Sequence, residues 1–393
     1  SLPEEEISPR LQNFETLALT PLARSDSLEL LMRLAPRLQD EPQQTLNRLA
    51  SWLGDGPLAL EMTARFLRAY PSLQAGMHLE RLQNYELPKD GISQAIAALF
   101  SGLPNNMEGM RETERIRRIL SICAWCAADW PVPLELLSAG VGLTAEAAES
   151  QLEHSLQRFY TLGVLHRTQI GPVMTPLVME AARRLDQASD LAGYKNLVPS
   201  LVHQVNQAAE HGDPQSLLPL DPHLWAAAHA GAARGLAEAG MLWNELGMRA
   251  HRWSEWSAAQ EAFARALALM EPSLGSSHHA VLRVIVNLGS LLHSRGELAA
   301  ARAALERAIQ SGEAALSAQD PRLAHALAEL GAVLQAQGDL PAARLALERA
   351  LALEEAAFGP NHPNLAQRYT ALGMLLSEMG ERQAARDAFR QAL

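Results

Sequence analysis

Residue types that carry chemistry are sparse in this chain, and their spacing excludes more than it allows. Cys123 and Cys126, the two cysteines, form a Cys-x-x-Cys pair. A zinc site needs two further ligands at comparable spacing, and the sequence offers none. A redox pair sits at an exposed helix start after a strand. Residues 119–128 (ILSICAWCAA) are instead an apolar helical run, so the pair reads as buried core. His278, His279 and His362 stand in segments without a carboxylate cluster, and read as loop residues rather than metal ligands. A phosphate-cradling loop needs Gly-Lys-Ser/Thr ahead of a helix. The only lysines, Lys89 and Lys195, follow Pro88 and Tyr194. No Gly-x-Ser-x-Gly occurs either. The expectation is a chain with no catalytic residue, no metal ligand and no cofactor of its own.

The elements around these residues are helical. Hydrophobic residues make up 48% of the 393 and aromatics only 5%, a balance rich in Ala and Leu that favours close helix packing over sheets. The net charge of -11 argues against broad nucleic-acid binding, which needs a field that attracts phosphates. The arginine-rich stretch 111–118 (RETERIRR) carries Glu112 and Glu114 among its arginines and reads as a solvated helix face. No apolar run reaches the roughly 18 residues of a membrane span, and the polar, acidic start SLPEEEIS leads to the expectation of no signal peptide. Two cysteines in so long a chain suit a reducing compartment. The expected location is cytoplasmic. Ser1 in place of Met, and a last stretch FRQAL inside a helical frame, lead to the expectation of a fragment of a longer protein.

The strongest signal is periodic. Leu-Gly pairs recur at Leu246-Gly247, Leu288-Gly289, Leu330-Gly331 and Leu372-Gly373, 42 residues apart. Each is followed in register by a small residue (Ser254, Gly296, Gly338, Gly380), an Ala-Ala pair (258–259, 300–301, 342–343, 384–385) and a large apolar residue (Phe263, Leu305, Leu347, Phe389). Leu-Gly belongs on a first helix, where the glycine lets a partner helix approach. The small residue ends that helix in a tight turn. The alanines and the Phe or Leu form the inner face of a second helix. The frame resembles the tetratricopeptide repeat, in the 42-residue, longer-helix variant found in kinesin light chains and many bacterial signalling ATPases. Such repeats imply a curved solenoid with a concave binding surface. Arg283, Asn287, His325, Glu329 and Gln367 recur at matching places on the first helices. They are candidates for a surface that binds a protein or peptide partner, against the alternative of a merely solvated face.

The N-terminal half carries a second resemblance. A helix opened by Ser25 or Asp26 leads to a second helix from Gln43, then to Leu53-Gly54-Asp55-Gly56-Pro57-Leu58-Ala59-Leu60 and a helix over 59–69. Further on, residues 119–128, Pro131-Val132-Pro133, an amphipathic helix over 146–162 and a hairpin around Ile170-Gly171 follow the helix–helix–helix–hairpin order of a winged helix. Met174-Thr175-Pro176-Leu177-Val178 comes next. Taken together this resembles the helical and winged-helix domains that follow the nucleotide-binding core in the NB-ARC branch of the STAND ATPases. The resemblance implies that Pro57 stands where the family's Gly-Leu-Pro-Leu proline packs on adenine, with Gly56 in place of its leucine. It also implies that Thr175 stands where the family's histidine reaches the β-phosphate of ADP.

The fold class expected is therefore all-α: a helical bundle and a winged-helix domain followed by a tetratricopeptide α-solenoid. The expected divisions are 1–22, the tail of a missing nucleotide-binding core; 23–94, an NB-ARC-like helical domain; 95–186, a winged-helix-like domain; 187–240, a helical linker or degenerate repeat; and 241–393, the repeats. The function expected is the regulatory and sensor portion of a STAND signalling ATPase. Its repeats would bind a partner. Its helical and winged-helix parts would gate activation by ADP and ATP with Mg in the longer protein, leading to self-oligomerisation. Two readings stay beside it: part of a STAND-type DNA-binding transcription regulator, and a free-standing repeat adaptor. Glu146, Glu149 and Glu153 against Arg158 on the expected recognition helix disfavour phosphate approach.

Overall fold

The computed structural model describes residues 21–83, 91–97, 107–143, 145–187, 190–210, 217–315, 317–360, 362–363 and 365–393. Residues 1–20, Lys89 and the side chains of Glu146 and Glu149 lie outside the described residues. Two compact units are present, Ser1–His223 and Leu224–Leu393. The all-α expectation holds, with one two-stranded sheet among the described residues.

The first unit opens with α1 (Arg24–Leu34), α2 (Gln43–Trp52), α3 (Pro57–Ala69), α4 (Ala75–Gln83) and α5 (Gly91–Ala97). Leu28, Leu31, Leu46, Leu49, Leu60 and Phe66 are buried, at the helical spacing that gives each element one apolar face. Pro57 stands at the head of α3, where a missing N–H costs nothing and its φ already suits the helix. Neither Ser25 nor Asp26 caps α1: the helix starts at Arg24 after Ala23, with no side-chain cap. The reason is tertiary. Arg24 places Nε and Nη2 on the Asp55 carboxylate at 2.9 and 2.5 Å, and Nη1 on the Asn47 carbonyl at 2.6 Å. These bonds hold the helix start from its side and draw Ser25 and Asp26 into the first turn, where Asp26 suits the helix dipole.

The same unit continues with α6 (Met107–Trp125), α7 (Leu134–Val141), α8 (Ala145–Leu162), β1 (His166–Arg167) and β2 (Pro172–Val173), then α9 (Pro176–Gln187) and α10 (Ala192–Glu210). This is the helix–helix–helix–hairpin order expected. The strands pair antiparallel, His166 with Val173 and Arg167 with Pro172. The Val132 N–H, just before α7, donates to the Pro172 carbonyl at 2.8 Å and ties the hairpin to the Pro-Val-Pro segment. α10 packs on α6, and at that contact lies a buried polar knot. The Asp186 carboxylate, 1% exposed, accepts from the Trp125 indole at 2.7 Å and from the Gly193 and Tyr194 amides at 2.9 and 3.4 Å. Tyr194 meets the Trp125 ring edge-on at 4.9 Å.

α11 (Asp221–Ala232) spans the division between the units. The second unit then pairs α12 (Ala239–Arg252) with α13 (Trp256–Leu274), α14 (His279–Ser294) with α15 (Leu298–Ala315), α16 (Ala324–Ala336) with α17 (Leu340–Phe358), and α18 (Leu365–Glu378) with α19 (Arg382–Gln391). Each second helix also packs on the first helix of the next pair, as in a solenoid whose repeats touch their neighbours. Each of the four Leu-Gly pairs spaced 42 residues apart lies on a first helix. A side chain built at Gly247, Gly289, Gly331 or Gly373 would meet Phe263, Leu305, Leu347 or Phe389 at 2.5–2.8 Å. The recurring large residue thus packs directly over the recurring glycine. Ser254, Gly296, Gly338 and Gly380 all adopt positive φ, from +59° to +82°, the left-handed turn that ends each first helix. The Ala-Ala pair divides: Ala259, Ala301, Ala343 and Ala385 are buried, while the preceding alanines are not. Neighbouring helical residues point about 100° apart, so only one of two can face the partner helix.

Candidate functional site

The repeat register sets Arg283, His325 and Gln367 at one position of successive first helices, and Asn287 and Glu329 at another. The structure separates them. Arg283 and His325, from α14 and α16, line one cavity of about 240 Å³ with His279, Arg322 and an apolar floor of Leu282, Val286 and Leu323. Gln367 is exposed and Glu329 half-buried, and neither lines it. Asn287 is 6% exposed. Its Nδ2 donates to the Asn244 Oδ1 at 2.8 Å, and the Asn244 Nδ2 donates to Glu245 at 3.1 Å. Arg283 closes the chain 3.6 Å from Glu245. Asn287 therefore joins two adjacent first helices rather than presenting itself to a partner.

Burial pushes the Glu245 carboxyl above its ordinary pKa, against the pull of Arg283, Asn244 and Arg252. His279 sits below the ordinary imidazole value, first through burial and then through His278, Arg322 and Arg283. His325 is lowered by burial too, opposed by Glu329. Arg322 is held by a bidentate pair with Asp320 at 2.7 and 2.9 Å. Two imidazoles and two guanidinium groups over an apolar floor offer hydrogen-bond donors and contact area to a peptide chain. Asn244, Glu245, His279 and Arg322 escaped sequence reading. Glu245 stands 42 residues before Asn287 and was visible in register. His279, expected in a loop, opens α14, with His278 as its N-cap accepting from the Ala280 N–H.

A second cavity, of about 390 Å³, lies in the first unit. Leu53, Gly54, Gly56 and Ala59 form one wall, Gly91 and Ile92 of α5 another, and Leu177, Glu180, Ala181 and Arg184 of α9 the third. The turn before α3 carries Gly54 at φ +66° and Asp55 at φ +53°. A non-glycine residue is uncommon there, and the Arg24 pair holds it. Pro57 is exposed between the lining residues Gly56 and Ala59, and Thr175 is half-buried just before Leu177. Neither side chain lines the cavity itself. The Thr175 carbonyl accepts from the Met179 N–H at 3.0 Å, so it begins the hydrogen bonding of α9. The cleft can seat a flat apolar group against Leu53, Ala59, Ile92 and Leu177. Arg184 supplies its cation, 3.6 Å from Glu180.

Cys123 and Cys126 are fully buried; burial raises the Cys123 thiol to about 12 and Cys126 well above its ordinary value. In that state neither is a thiolate nucleophile or ligand. Among the described residues no helix is long and apolar enough to cross a membrane.

The second unit is a tetratricopeptide array. The tetratricopeptide repeat family matches residues 238–314 and 322–393, the segment over which the helix pairs recur. Among solved structures, BtubC (BKLC) from P. vanneervenii is similar at 18% identity over 51% of this chain and 89% of its own, with a TM-score of 0.37. Kinesin-light-chain-type, nearly identical TPR-like repeats of Podosopora anserina are similar at 20% identity over 50% of this chain and 92% of theirs, TM-score 0.40. A signal transduction ATPase with numerous domains (STAND) with a tetratricopeptide repeat sensor from Pyrococcus horikoshii is similar at 13% identity over 98% of this chain, TM-score 0.38; the chain spans 56% of that protein's length. No curated protein matches in sequence.

Proposed function

We propose that this chain is the regulatory and sensor portion of a nucleotide-switched signalling protein of the STAND, NB-ARC–tetratricopeptide type. The observation that carries the reading is the cavity walled by Gly54, Gly56 and Ala59 on one side and Leu177, Ala181 and Arg184 on another. The two motifs that resemble the family's adenine and phosphate contacts, around Pro57 and Thr175, are far apart in sequence yet flank this one cleft. Its apolar walls fit the base of an adenine nucleotide. Its side chains do not supply a phosphate site, since affinity for a diphosphate comes from clustered backbone donors and a lysine and no Gly-Lys-Ser/Thr occurs in the sequence. In the longer protein, ADP and ATP with Mg would be held by a separate core, with Pro57 beside the base and Thr175 toward the phosphates.

Partner binding on the repeats biases a two-state equilibrium by its differential affinity for the open form, and self-oligomerisation follows opening. The partner is a protein or peptide, and the cavity of Arg283 and His325 is the part of the array most suited to it. The protein works in the cytoplasm. The test is nucleotide binding. This chain alone shows no ADP-dependent thermal shift at millimolar nucleotide, whereas the chain extended upstream through a phosphate loop does. In the extended chain Pro57→Ala weakens ADP binding and Thr175→His tightens it. Tight ADP binding by this chain alone, or indifference of the extended chain to Pro57→Ala, would overturn the reading.

A further inference from the structure

Two cavities of the array differ in charge. Trp225, Trp243 and Trp253 wall one of about 290 Å³, where Arg249 and Arg265 stand with Glu255 and Glu261. Its charges balance. In the Arg283–His325 cavity no carboxylate lines the wall. Leu282, Val286 and Leu323 of its floor are buried, and His279, Arg283, Arg322 and His325 form an exposed rim. His279 opens α14, and Arg322 stands just before α16. Two helix N-termini, each the positive end of a dipole, therefore adjoin the rim.

Four carboxylates act on the rim without lining the cavity. Asp320 takes two N–H groups of Arg322, which offsets that charge. Glu354 is held by Arg368 at 3.2 Å. Glu329 opposes the lowering of the His325 pKa and balances that end. Glu245 accepts from Asn244 and stands 3.6 Å from Arg283, beyond hydrogen-bonding reach, so the guanidinium keeps its donors. At His279 burial and then His278, Arg322 and Arg283 lower the pKa, and no carboxylate opposes them. The positive excess lies between His279 and Arg283 and is that of a single guanidinium. It suits a monoanion rather than a phosphate dianion, and the planar Arg283 fork matches a carboxylate. The buried floor calls for an apolar body on the same ligand. An apolar cavity of roughly 150 Å³ holds benzene; this one, of about 240 Å³, has room for such a body and its carboxylate. Elsewhere on the first helices the polar side chains are tied to one another, Asn287 to Asn244 and Arg368 to Glu354 across to α17. An extended peptide meets one open group of donors there, not a row of them. A small molecule needs only one.

We propose that this cavity binds a small free monocarboxylate with an apolar body of about six carbons, the carboxylate on Arg283 and His279 and the body over Leu282, Val286 and Leu323. The proposal goes beyond the partner reading: the ligand competes with any partner that enters the cavity, and needs neither partner nor nucleotide to bind. The experiment titrates the full chain by calorimetry, and follows the histidine ring resonances, with hexanoate, hexanamide, hexylammonium, acetate and inorganic phosphate. N-acetyl-leucine stands for the end of a peptide chain, and N-acetyl-Glu-Leu-amide for an acidic peptide segment. Hexanoate is expected to bind about tenfold or more tighter than hexanamide, the range of a charge-assisted hydrogen bond. Each methylene removed on the way to acetate weakens binding about fourfold. Phosphate and hexylammonium bind more weakly than hexanoate. Bound hexanoate moves the His279 titration to higher pH, because an anion favours the imidazolium. Arg283→Gln brings hexanoate and hexanamide to nearly equal affinity, and Arg283→Lys, which keeps the charge and loses the fork, falls between. Equal binding of hexanoate and hexanamide by the wild-type chain overturns the proposal, and that ratio decides even where Arg283→Gln fails to fold. So does an unmoved His279, tighter binding of phosphate, or tighter binding of either peptide probe, which would assign the cavity to a peptide. Arg249→Gln leaves hexanoate binding unchanged; a loss there would place the probe in the tryptophan cavity and refute this site. Hexanoate binding as expected while the extended chain ignores ADP would sink the nucleotide reading alone.

Discussion

Replacing Gly331 by alanine sets two effects of opposite sign against each other. In a helix interior alanine is favoured over glycine by about 1 kcal/mol, so an open site would gain stability. Gly331 is not open. Its added Cβ would lie 2.8 Å from the Leu347 Cγ, 3.0 Å from its Cδ2 and 3.4 Å from the Ala343 carbonyl oxygen. Carbon atoms pack at about 3.5–4.0 Å. Either α16 and α17 move apart or Leu347, 3% exposed, leaves its rotamer among neighbours that give it little room. Overpacking of this kind costs about 1–3 kcal/mol, which outweighs the propensity gain and leaves a net loss of roughly 1 kcal/mol. The assay is urea unfolding followed by far-UV circular dichroism on four chains: wild type, Gly331→Ala, Leu347→Ala and the double variant. Leu347→Ala alone costs about 2–5 kcal/mol through its cavity. In that background the clash is gone, so Gly331→Ala changes sign and stabilises. The double-mutant cycle therefore shows a favourable coupling. A Gly331→Ala chain that is more stable than wild type, with no coupling to Leu347, would refute the close approach of the two helices.

Leu330→Asp puts an unpaired charge at a position 9% exposed; it should cost several kcal/mol and spread to adjacent repeats, and an unchanged melting curve would contradict the assigned helix face. Asp186→Ala removes the acceptor of the Trp125 indole and the Gly193 amide and should lower the stability of the first unit by about 1–3 kcal/mol for each donor; a loss below about 1 kcal/mol in chemical denaturation would mean the knot is dispensable. His223 accepts from the Ala127 N–H through Nδ1 and donates to the Pro131 carbonyl through Nε2, each at 3.0 Å, and burial holds its pKa below the ordinary 6.5. A depressed imidazole favours the neutral form in the folded state, so its contribution is complete above about pH 6.5 and is lost as pH falls through the lowered value. Unfolding of the first unit between pH 7 and 5 should show this slope, and His223→Asn should reduce it; identical pH profiles would exclude His223 as its source.

The repeats were legible because their defining contacts are short-range and repeated. Glycine and the Phe or Leu that covers it stand sixteen residues apart in every repeat, so one period of sequence contains both partners of the contact. Turn residues with positive φ, from Ser254 to Gly380, announced themselves in the same way. Helical phase was less legible within a pair of identical residues, and the burial of Ala259 but not Ala258 came from the helix it faces. The start of α1 misled because Ser25 and Asp26 are good caps locally, while Arg24 answers to Asp55, which is distant in sequence.

Composition, period and turn chemistry thus determine by themselves that this chain is helical and carries a tetratricopeptide array, because those features report interactions inside one repeat. The candidate sites belong to tertiary structure. Arg283 and His325 share a cavity while Asn287 turns inward to Asn244, although each recurs on a first helix of the repeat. Trp225 and Trp243 come from helices whose meeting no period encodes. Gly54 reaches the same cleft as Leu177 only through the packing of α2, α3, α5 and α9. A side chain's distance to residues on other elements depends on how whole helices pack, and that is decided by the complete set of buried faces rather than by any one segment.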